Sequence, residues 1–121
     1  MKILIVDDFS TMRRIIKNIL KQLGYSNIIE ADDGSSALTL LKKDKIDFIV
    51  SDWNMPKMSG LDLLKVIRSD EKLKSIPFLM VTAEAQKEKI MKALQEGVDN
   101  YIVKPFTAEI LKEKIDKIFS N

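Results

Sequence analysis

The strongest constraint on the fold of this chain is a regular alternation between short aliphatic runs and longer segments with helical periodicity. A first run, Ile3–Val6, precedes Ser10, after which apolar residues recur at helical spacing as far as Gly24. The pattern repeats four times, which predicts further strands at 27–31, 46–51, 78–82 and 100–103 and further helices at 35–43, 61–68, 87–96 and 107–119. Ser10 and Thr107 are predicted to cap the first and last helices.

Strands separated by helices pair in parallel, and four of the five predicted strands are almost continuously apolar, as expected when helices cover both faces of a sheet. The second strand contains Glu30 and is therefore expected at an edge. The pattern predicts an α/β fold with a doubly wound, flavodoxin-like parallel sheet of five strands in the order 2-1-3-4-5, and five helices. A closed eight-stranded barrel would need about twice the chain.

The absence of cysteine and histidine limits the available chemistry. It excludes disulfides, thiolate nucleophiles, Cys/His zinc sites, Ser-His-Asp triads and a phosphohistidine on this chain. The 20 Lys and Arg residues and 18 Asp and Glu residues give a net charge of +2, which is too balanced to favour binding to nucleic acid or anionic lipid. No run is long enough to span a membrane, and the amino terminus lacks a signal-peptide pattern. We expect one cytoplasmic domain over 1–121 that binds neither nucleic acid nor membrane.

Polar residues stand at the carboxyl ends of four predicted strands. Parallel strands end at one rim of a doubly wound sheet, and ligands bind there, between strands one and three, where the winding reverses. We therefore expect three carboxylates, a hydroxyl and an ammonium group to converge, from Asp7, Asp8, Asp52, Thr82 and Lys104.

Such a cluster of carboxylates would have raised pKa values unless a cation lay among them. Hard oxygen ligands favour Mg²⁺, which keeps several waters and prefers sites that a phosphate completes. The Thr82 hydroxyl and the Lys104 ammonium group could hold phosphoryl oxygens, and Asp52 could accept a phosphoryl group as an acyl phosphate.

Each of these residues also has a purely structural interpretation. Asp8 could serve only as a negative charge at a helix N-terminus, and Thr82 as an ordinary strand-end residue. Lys104 could be a solvated lysine, and Asp52 could belong only to a turn. The coincidence of all five polar residues at one rim favours a functional site.

The motifs around these residues resemble a known family. They are Val6-Asp7-Asp8, Ser51-Asp52-Trp53-Asn54-Met55-Pro56 with Gly60, Val81-Thr82-Ala83 and Val103-Lys104-Pro105-Phe106. Together they resemble the receiver domain of two-component response regulators over the whole chain. The runs 9–14, 52–56 and 82–85 are more particular, and they make the resemblance closest to single-domain chemotaxis regulators of the CheY type.

The resemblance implies that Asp52 is the phosphoacceptor. It also implies that Asp7, Asp8, Asp52 and the backbone carbonyl of Asn54 hold Mg²⁺. The side chains of Asn54 and Glu84 would influence the lifetime of the phosphoryl group.

Further implied roles concern the switch. Thr82 would hydrogen-bond the phosphoryl group, Lys104 would pair with it, and Tyr101 would turn inward when Thr82 moves. The Lys104-Pro105 peptide bond is implied to be cis.

The resemblance implies a monomeric signalling protein, not an enzyme, that assists its own phosphorylation and autodephosphorylation and carries no output domain. Its implied partners are a histidine kinase as donor, a flagellar motor switch protein and a phosphatase. The partner surface would be formed by helix four, strand five and helix five, and it would include Lys87, Ile90, Tyr101 and Lys114.

Three alternatives stand beside this function, the first of them within the same family. A single-domain phosphorelay intermediate would pass the phosphoryl group to a histidine phosphotransfer domain. A flavodoxin-like electron carrier shares the topology, although Asp7 and Asp8 would repel a flavin phosphate. A magnesium-dependent phosphatase with an aspartyl intermediate also fits three carboxylates, but it would need its nucleophile in an Asp-x-Asp pattern at strand one and a cap domain, and the sequence shows neither feature.

Overall fold

Strands and helices alternate along the chain as the sequence pattern predicts. The computed structural model describes residues 1–83 and 86–120. The strands are β1 (Ile3–Val6), β2 (Ile28–Ala31), β3 (Phe48–Asp52), β4 (Phe78–Thr82) and β5 (Asn100–Val103). The helices are α1 (Ser10–Gln22), α2 (Gly34–Lys43), α3 (Gly60–Ser69), α4 (Lys87–Gln95) and α5 (Ala108–Phe119).

The strands form one parallel sheet in the order β2-β1-β3-β4-β5, which confirms the predicted topology. In the centre, Ile3 of β1 lies opposite Ile28 of β2 and Phe48 of β3. The edge position predicted for β2 is confirmed, and Glu30 is exposed there. Because the strands are parallel, all five end at the same rim.

Helices cover both faces of this sheet. Successive residues of a strand point to opposite faces, so Ile3 and Ile5 belong to one buried cluster, and Leu4 and Val6 belong to the other. The first cluster is completed mainly by α1 and α5, through residues such as Ile16, Leu20, Leu111 and Ile115. The second is completed mainly by α2, α3 and α4, through residues such as Ala37, Leu63, Leu64 and Ala93.

The helix termini agree only in part with the sequence patterns. Thr107 caps α5 as predicted, because its side chain accepts a hydrogen bond from the Ile110 N–H. The predicted cap at Ser10 is wrong. Phe9 is the N-cap of α1 and makes no side-chain cap hydrogen bond; its carbonyl accepts the Arg13 N–H in the first turn. No helix among the described residues has the length and apolar character to cross a membrane.

Candidate functional site

Three carboxylates meet at the carboxyl rim of the sheet. Asp7 follows β1, Asp8 comes next in the loop, and Asp52 is the last residue of β3. Each offers an oxygen, and these oxygens all lie within 4.8 Å of one another. The pairing of Val6 with Ser51 in adjacent central strands produces this proximity. Asp7 and Asp52 are buried, whereas Asp8 is more exposed.

A lysine supplies positive charge from the other side of the same rim. The Lys104 Nζ atom lies 2.9 Å from the Asp52 Oδ1 atom. The Lys104 backbone N–H donates to the carbonyl oxygen of Thr82 at 2.8 Å, which extends the pairing of β5 with β4. The peptide bond between Lys104 and Pro105 is cis, as the resemblance implies. Thr82 is buried at the end of β4, so the five predicted polar residues share one rim.

The most unusual atom in this cluster is an oxygen of Asp7. The Asp7 Oδ1 atom accepts a hydrogen bond from the Phe9 N–H at 2.9 Å, but the buried Oδ2 atom has no hydrogen-bond partner within the described part of the chain. Burial, together with the charges of Asp52 and Asp8, raises the pKa of Asp7 from 3.8 to about 6. The Phe9 N–H and Lys104 oppose this rise only in part. A buried carboxylate oxygen without a partner fits a site for a cation.

The pKa of Asp52 is also raised, which likewise fits a site for a cation. Burial raises the pKa of Asp52, and the nearby charge of Asp8 adds to the rise, while the Lys104 ammonium group counteracts it without cancelling it. Three carboxylates and one ammonium group leave an excess of two negative charges when all four groups are ionised. Hard carboxylate oxygens are ligands that Mg²⁺ prefers, so the donor set fits this ion.

A glycine lets the start of α3 pack closely against the end of β3. Gly60, the first residue of α3, donates its N–H to the Trp53 carbonyl oxygen at 2.8 Å. A Cβ atom at Gly60 would overlap the backbone carbonyl oxygen of Asp52 and lie 2.8 Å from the Sδ atom of Met80. Only glycine fits this approach. Between these contacts, Asn54 lies exposed in the loop.

The residues of the expected partner surface lie on α4, β5 and α5. Tyr101 of β5 is half-buried, and the Lys114 Nζ atom of α5 lies 4.6 Å from the centre of its ring. Lys87 is exposed at the start of α4, and Ile90 is half-buried in the same helix. Glu84 lies outside the described residues.

Sequence reasoning missed two features of the helices. Met91 and Leu94 of α4 are 49% and 51% exposed, and their spacing of three residues could have revealed an apolar stripe beside the expected surface. Arg13 of α1 donates a hydrogen bond from its Nη1 atom to the Asp7 carbonyl oxygen at 2.6 Å, and no spacing rule predicts such a contact.

Comparison with known proteins agrees with this arrangement. The family model "Response regulator receiver domain" matches residues 3–116. The chain belongs to this family. It is 67% identical over 119 residues to the chemotaxis protein CheY-3 of Vibrio cholerae, covering 98% of this chain and 92% of that protein. It is 64% identical to the chemotaxis protein CheY of Pseudomonas aeruginosa, covering 98% and 96% of the two chains.

Solved structures of other receiver domains have the same fold. The chemotaxis response regulator CheY4 of Vibrio cholerae superimposes with a TM-score of 0.90 at 35% identity over 98% of both chains. The receiver domain of the Francisella response regulator 1452 gives a TM-score of 0.86 at 31% identity, over 97% of this chain and 94% of that one. The receiver domain described here is therefore of the CheY chemotaxis type, which confirms the resemblance found from its motifs.

Proposed function

We propose that this receiver domain takes a phosphoryl group from a histidine kinase onto Asp52 and then binds a flagellar motor switch protein. The observation that supports the proposal most strongly is the buried Asp7 Oδ2 atom, which has no hydrogen-bond partner among residues 1–83 and 86–120, beside the ion pair of Asp52 and Lys104. The relatives named as chemotaxis proteins support the motor switch as partner. The domain would then act as a signalling protein whose phosphorylated form binds the partner. The signal would end when the phosphoryl group is released, by autodephosphorylation or with the help of a phosphatase.

The transfer needs an ionised acceptor and compensation of the incoming charge. An oxygen of the Asp52 carboxylate forms the new bond to phosphorus while the bond from phosphorus to the donor histidine nitrogen breaks. Asp7, Asp8, Asp52 and the backbone carbonyl of Asn54 would hold Mg²⁺, which would offset the charge of the phosphoryl oxygens. The Lys104 ammonium group, already 2.9 Å from Asp52, adds a second positive charge at the same position.

The phosphoryl group would act on β4 and β5 through the groups at their ends. The Thr82 hydroxyl would donate a hydrogen bond to a phosphoryl oxygen, and the Lys104 ammonium group would form an ion pair with the phosphoryl group. Because the Lys104 N–H is hydrogen-bonded to the Thr82 carbonyl oxygen, a displacement of the end of β4 would also displace the end of β5. Tyr101, in the middle of β5 and in contact with Lys114, is proposed to turn inward and change the surface that also includes Lys87 and Ile90.

Phosphorylation of the purified protein by acetyl phosphate with Mg²⁺ tests the acceptor directly. Intact mass should show a single added phosphoryl group in the wild type and none in Asp52→Ala. Asp116→Asn, which removes an exposed carboxylate of α5, is the matched control and should be labelled normally. Label surviving in Asp52→Ala at the wild-type rate would refute the assignment.

A capture experiment tests the partner. The protein, with and without a stable phosphoryl mimic, is presented to a motor-switch peptide and to a histidine phosphotransfer domain. Preferential capture of the peptide by the activated form supports chemotaxis, and onward transfer to the histidine domain supports a phosphorelay intermediate. The Lys104→Ala protein should still accept a phosphoryl group, but its phosphorylation should not increase capture of the peptide. A location in the cytoplasm stays a prediction.

A further inference from the structure

An arginine outside the rim connects the loop that contains Asp7 and Asp8 to the edge strand β2. Arg13 lies in the first turns of α1, and its Nη1 atom donates to the Asp7 carbonyl oxygen at 2.6 Å. Its Nε atom lies 3.2 Å from the Glu30 Oε1 atom on β2. The Lys17 Nζ atom lies 3.4 Å from the other carboxylate oxygen of Glu30. The Arg13 side chain is only 17% exposed, so the surrounding chain holds it in this position.

The contact with Arg13 completes the anchoring of Asp7. The Asp7 N–H donates to the Ala31 carbonyl oxygen at 3.1 Å, and the Asp7 Oδ1 atom accepts the Phe9 N–H. With the carbonyl bound by Arg13, only the Oδ2 atom is left without a partner among the described residues. The anchors come from Ala31 in β2, from Phe9 at the N-cap of α1 and from Arg13 within α1, so β2 and the start of α1 together set the position of Asp7.

The bound carbonyl belongs to the peptide group that joins Asp7 to Asp8. That group is planar, so fixing its orientation restricts the backbone rotations on both sides. One hydrogen bond from Arg13 therefore influences the placement of two carboxylates of the cluster. A mobile peptide here would spread their oxygens over more positions than the 4.8 Å arrangement allows.

We propose that Arg13, held by Glu30, is a positioning residue for the metal site, which keeps the carboxylates of Asp7 and Asp8 placed for Mg²⁺. The inference rests on the proposed function, because it concerns how that site takes its ion. Arg13 acts through Asp7 and does not contact the ion. Groups that orient metal ligands commonly change metal affinity by about 10-fold to 100-fold when they are removed.

The direction of the change in Mg²⁺ affinity distinguishes a positioning role of Arg13 from a purely electrostatic one. Arg13 carries a positive charge close to a cation site, so loss of its charge alone would strengthen binding of Mg²⁺. Loss of positioning would weaken it. Arg14, the next residue of α1, is exposed, and its side chain forms no ion pair or hydrogen bond in the part of the chain that the structure describes. Arg14→Met therefore removes one positive charge from the same part of α1 and leaves the contact between Arg13 and Asp7 intact.

Calorimetric titration of the full chain with Mg²⁺ tests the proposal. Arg13→Met should raise the Kd on the order of 10-fold, and Arg14→Met should leave it unchanged or slightly lower. Glu30→Gln keeps an acceptor but removes the charge that holds the guanidinium, so it should raise the Kd by a smaller factor. Added to Arg13→Met, it should have no further effect, because both substitutions act through one contact.

A measurement without metal provides a second readout. In the metal-free protein, Arg13→Met should accelerate hydrogen exchange of the Phe9 amide, whose hydrogen bond to Asp7 depends on the loop position, and Arg14→Met should not. If Arg13→Met does not fold, Arg13→Lys and Glu30→Gln carry the test. Lysine keeps the charge but cannot reproduce the two-sided contact of the guanidinium, so Arg13→Lys should bind Mg²⁺ more weakly than the wild type.

Equal affinities of the Arg13 variants and Arg14→Met, or tighter binding by Arg13→Met, would overturn the inference while leaving the acceptor role of Asp52 intact. A wild-type protein that fails to bind Mg²⁺ would overturn the proposed metal site and the role of Arg13 with it. Weaker binding confined to the Arg13 and Glu30 variants supports it.

Discussion

Replacing Asp7 with asparagine should stabilise the metal-free protein. The pKa of this buried carboxyl rises from 3.8 to about 6 on folding, mainly because burial disfavours its charge. A difference of about 2 pKa units, at about 1.4 kcal/mol per unit, means that ionised Asp7 costs the fold about 3 kcal/mol above pH 6. Asparagine removes this charge and keeps an oxygen that can accept the Phe9 N–H. We expect a gain of about 1 to 3 kcal/mol at neutral pH.

The pH dependence follows from the direction of the shift. The folded state binds the Asp7 proton more tightly than the unfolded chain, so the contribution of Asp7 to wild-type stability is fully present below pH 3.8 and is lost as the pH rises through about 6. Asparagine does not titrate. The advantage of Asp7→Asn should therefore be small near pH 4 and complete by about pH 7.

Urea unfolding in the presence of a chelator, followed by the fluorescence of the single tryptophan, measures this difference across the pH range. Asp116→Asn is the control, since Asp116 forms an exposed pair with Lys112 and should change stability by less than about 0.5 kcal/mol. Added Mg²⁺ should stabilise the wild type more than Asp7→Asn, because it binds the folded state through this carboxylate. Equal stability of the two proteins at neutral pH, or an advantage that is largest near pH 4, would refute the reasoning.

Two further substitutions test the local structure by urea unfolding. Gly60→Ala should destabilise the protein by about 1 to 3 kcal/mol despite the better helix propensity of alanine, because the new Cβ atom collides with the Asp52 carbonyl oxygen; a stability at or above that of the wild type would contradict this contact. Thr107→Ala should cost about 1 kcal/mol through loss of the hydrogen bond to the Ile110 N–H, whereas Thr107→Ser should be nearly neutral; equal losses in both variants would argue against the cap.

Hydrophobic periodicity was sufficient to predict the architecture, because the strands of a doubly wound sheet are buried on both faces and its helices on one. The helix starts were harder to predict. Ser10 is a typical cap residue, yet it is the first residue of α1, and the N-cap position before it is held by Phe9, which makes no side-chain cap hydrogen bond. Asp33, which caps α2 by accepting the Ser36 N–H, was not identified, because an aspartate in a polar segment is equally typical of a turn.

The candidate site was predictable as far as topology determines it. The ends of parallel strands share a rim, so the convergence of Asp7 and Asp52 follows from strand order alone. The direction of a long side chain does not follow from topology, so only the three-dimensional structure reveals the contact of Arg13 with the Asp7 carbonyl and the lack of a partner for the Oδ2 atom among the described residues. The Gly60 motif was recognised, but the reason for glycine lies in a backbone approach between segments eight residues apart in sequence.

The pairing of β4 with β5 has a consequence for insertions and deletions in this chain. Thr82 lies opposite Val103, and the Lys104 N–H continues that ladder, so the position of the Thr82 and Lys104 side chains depends on the number of residues in the two strands. One residue added or removed within either strand would turn every following side chain to the other face of the sheet. A length change in a turn at the opposite rim, such as 24–27, would leave the count unaltered. Related chains should therefore vary in length where helices lead into strands, and hardly at all between the start of β4 and its last residue.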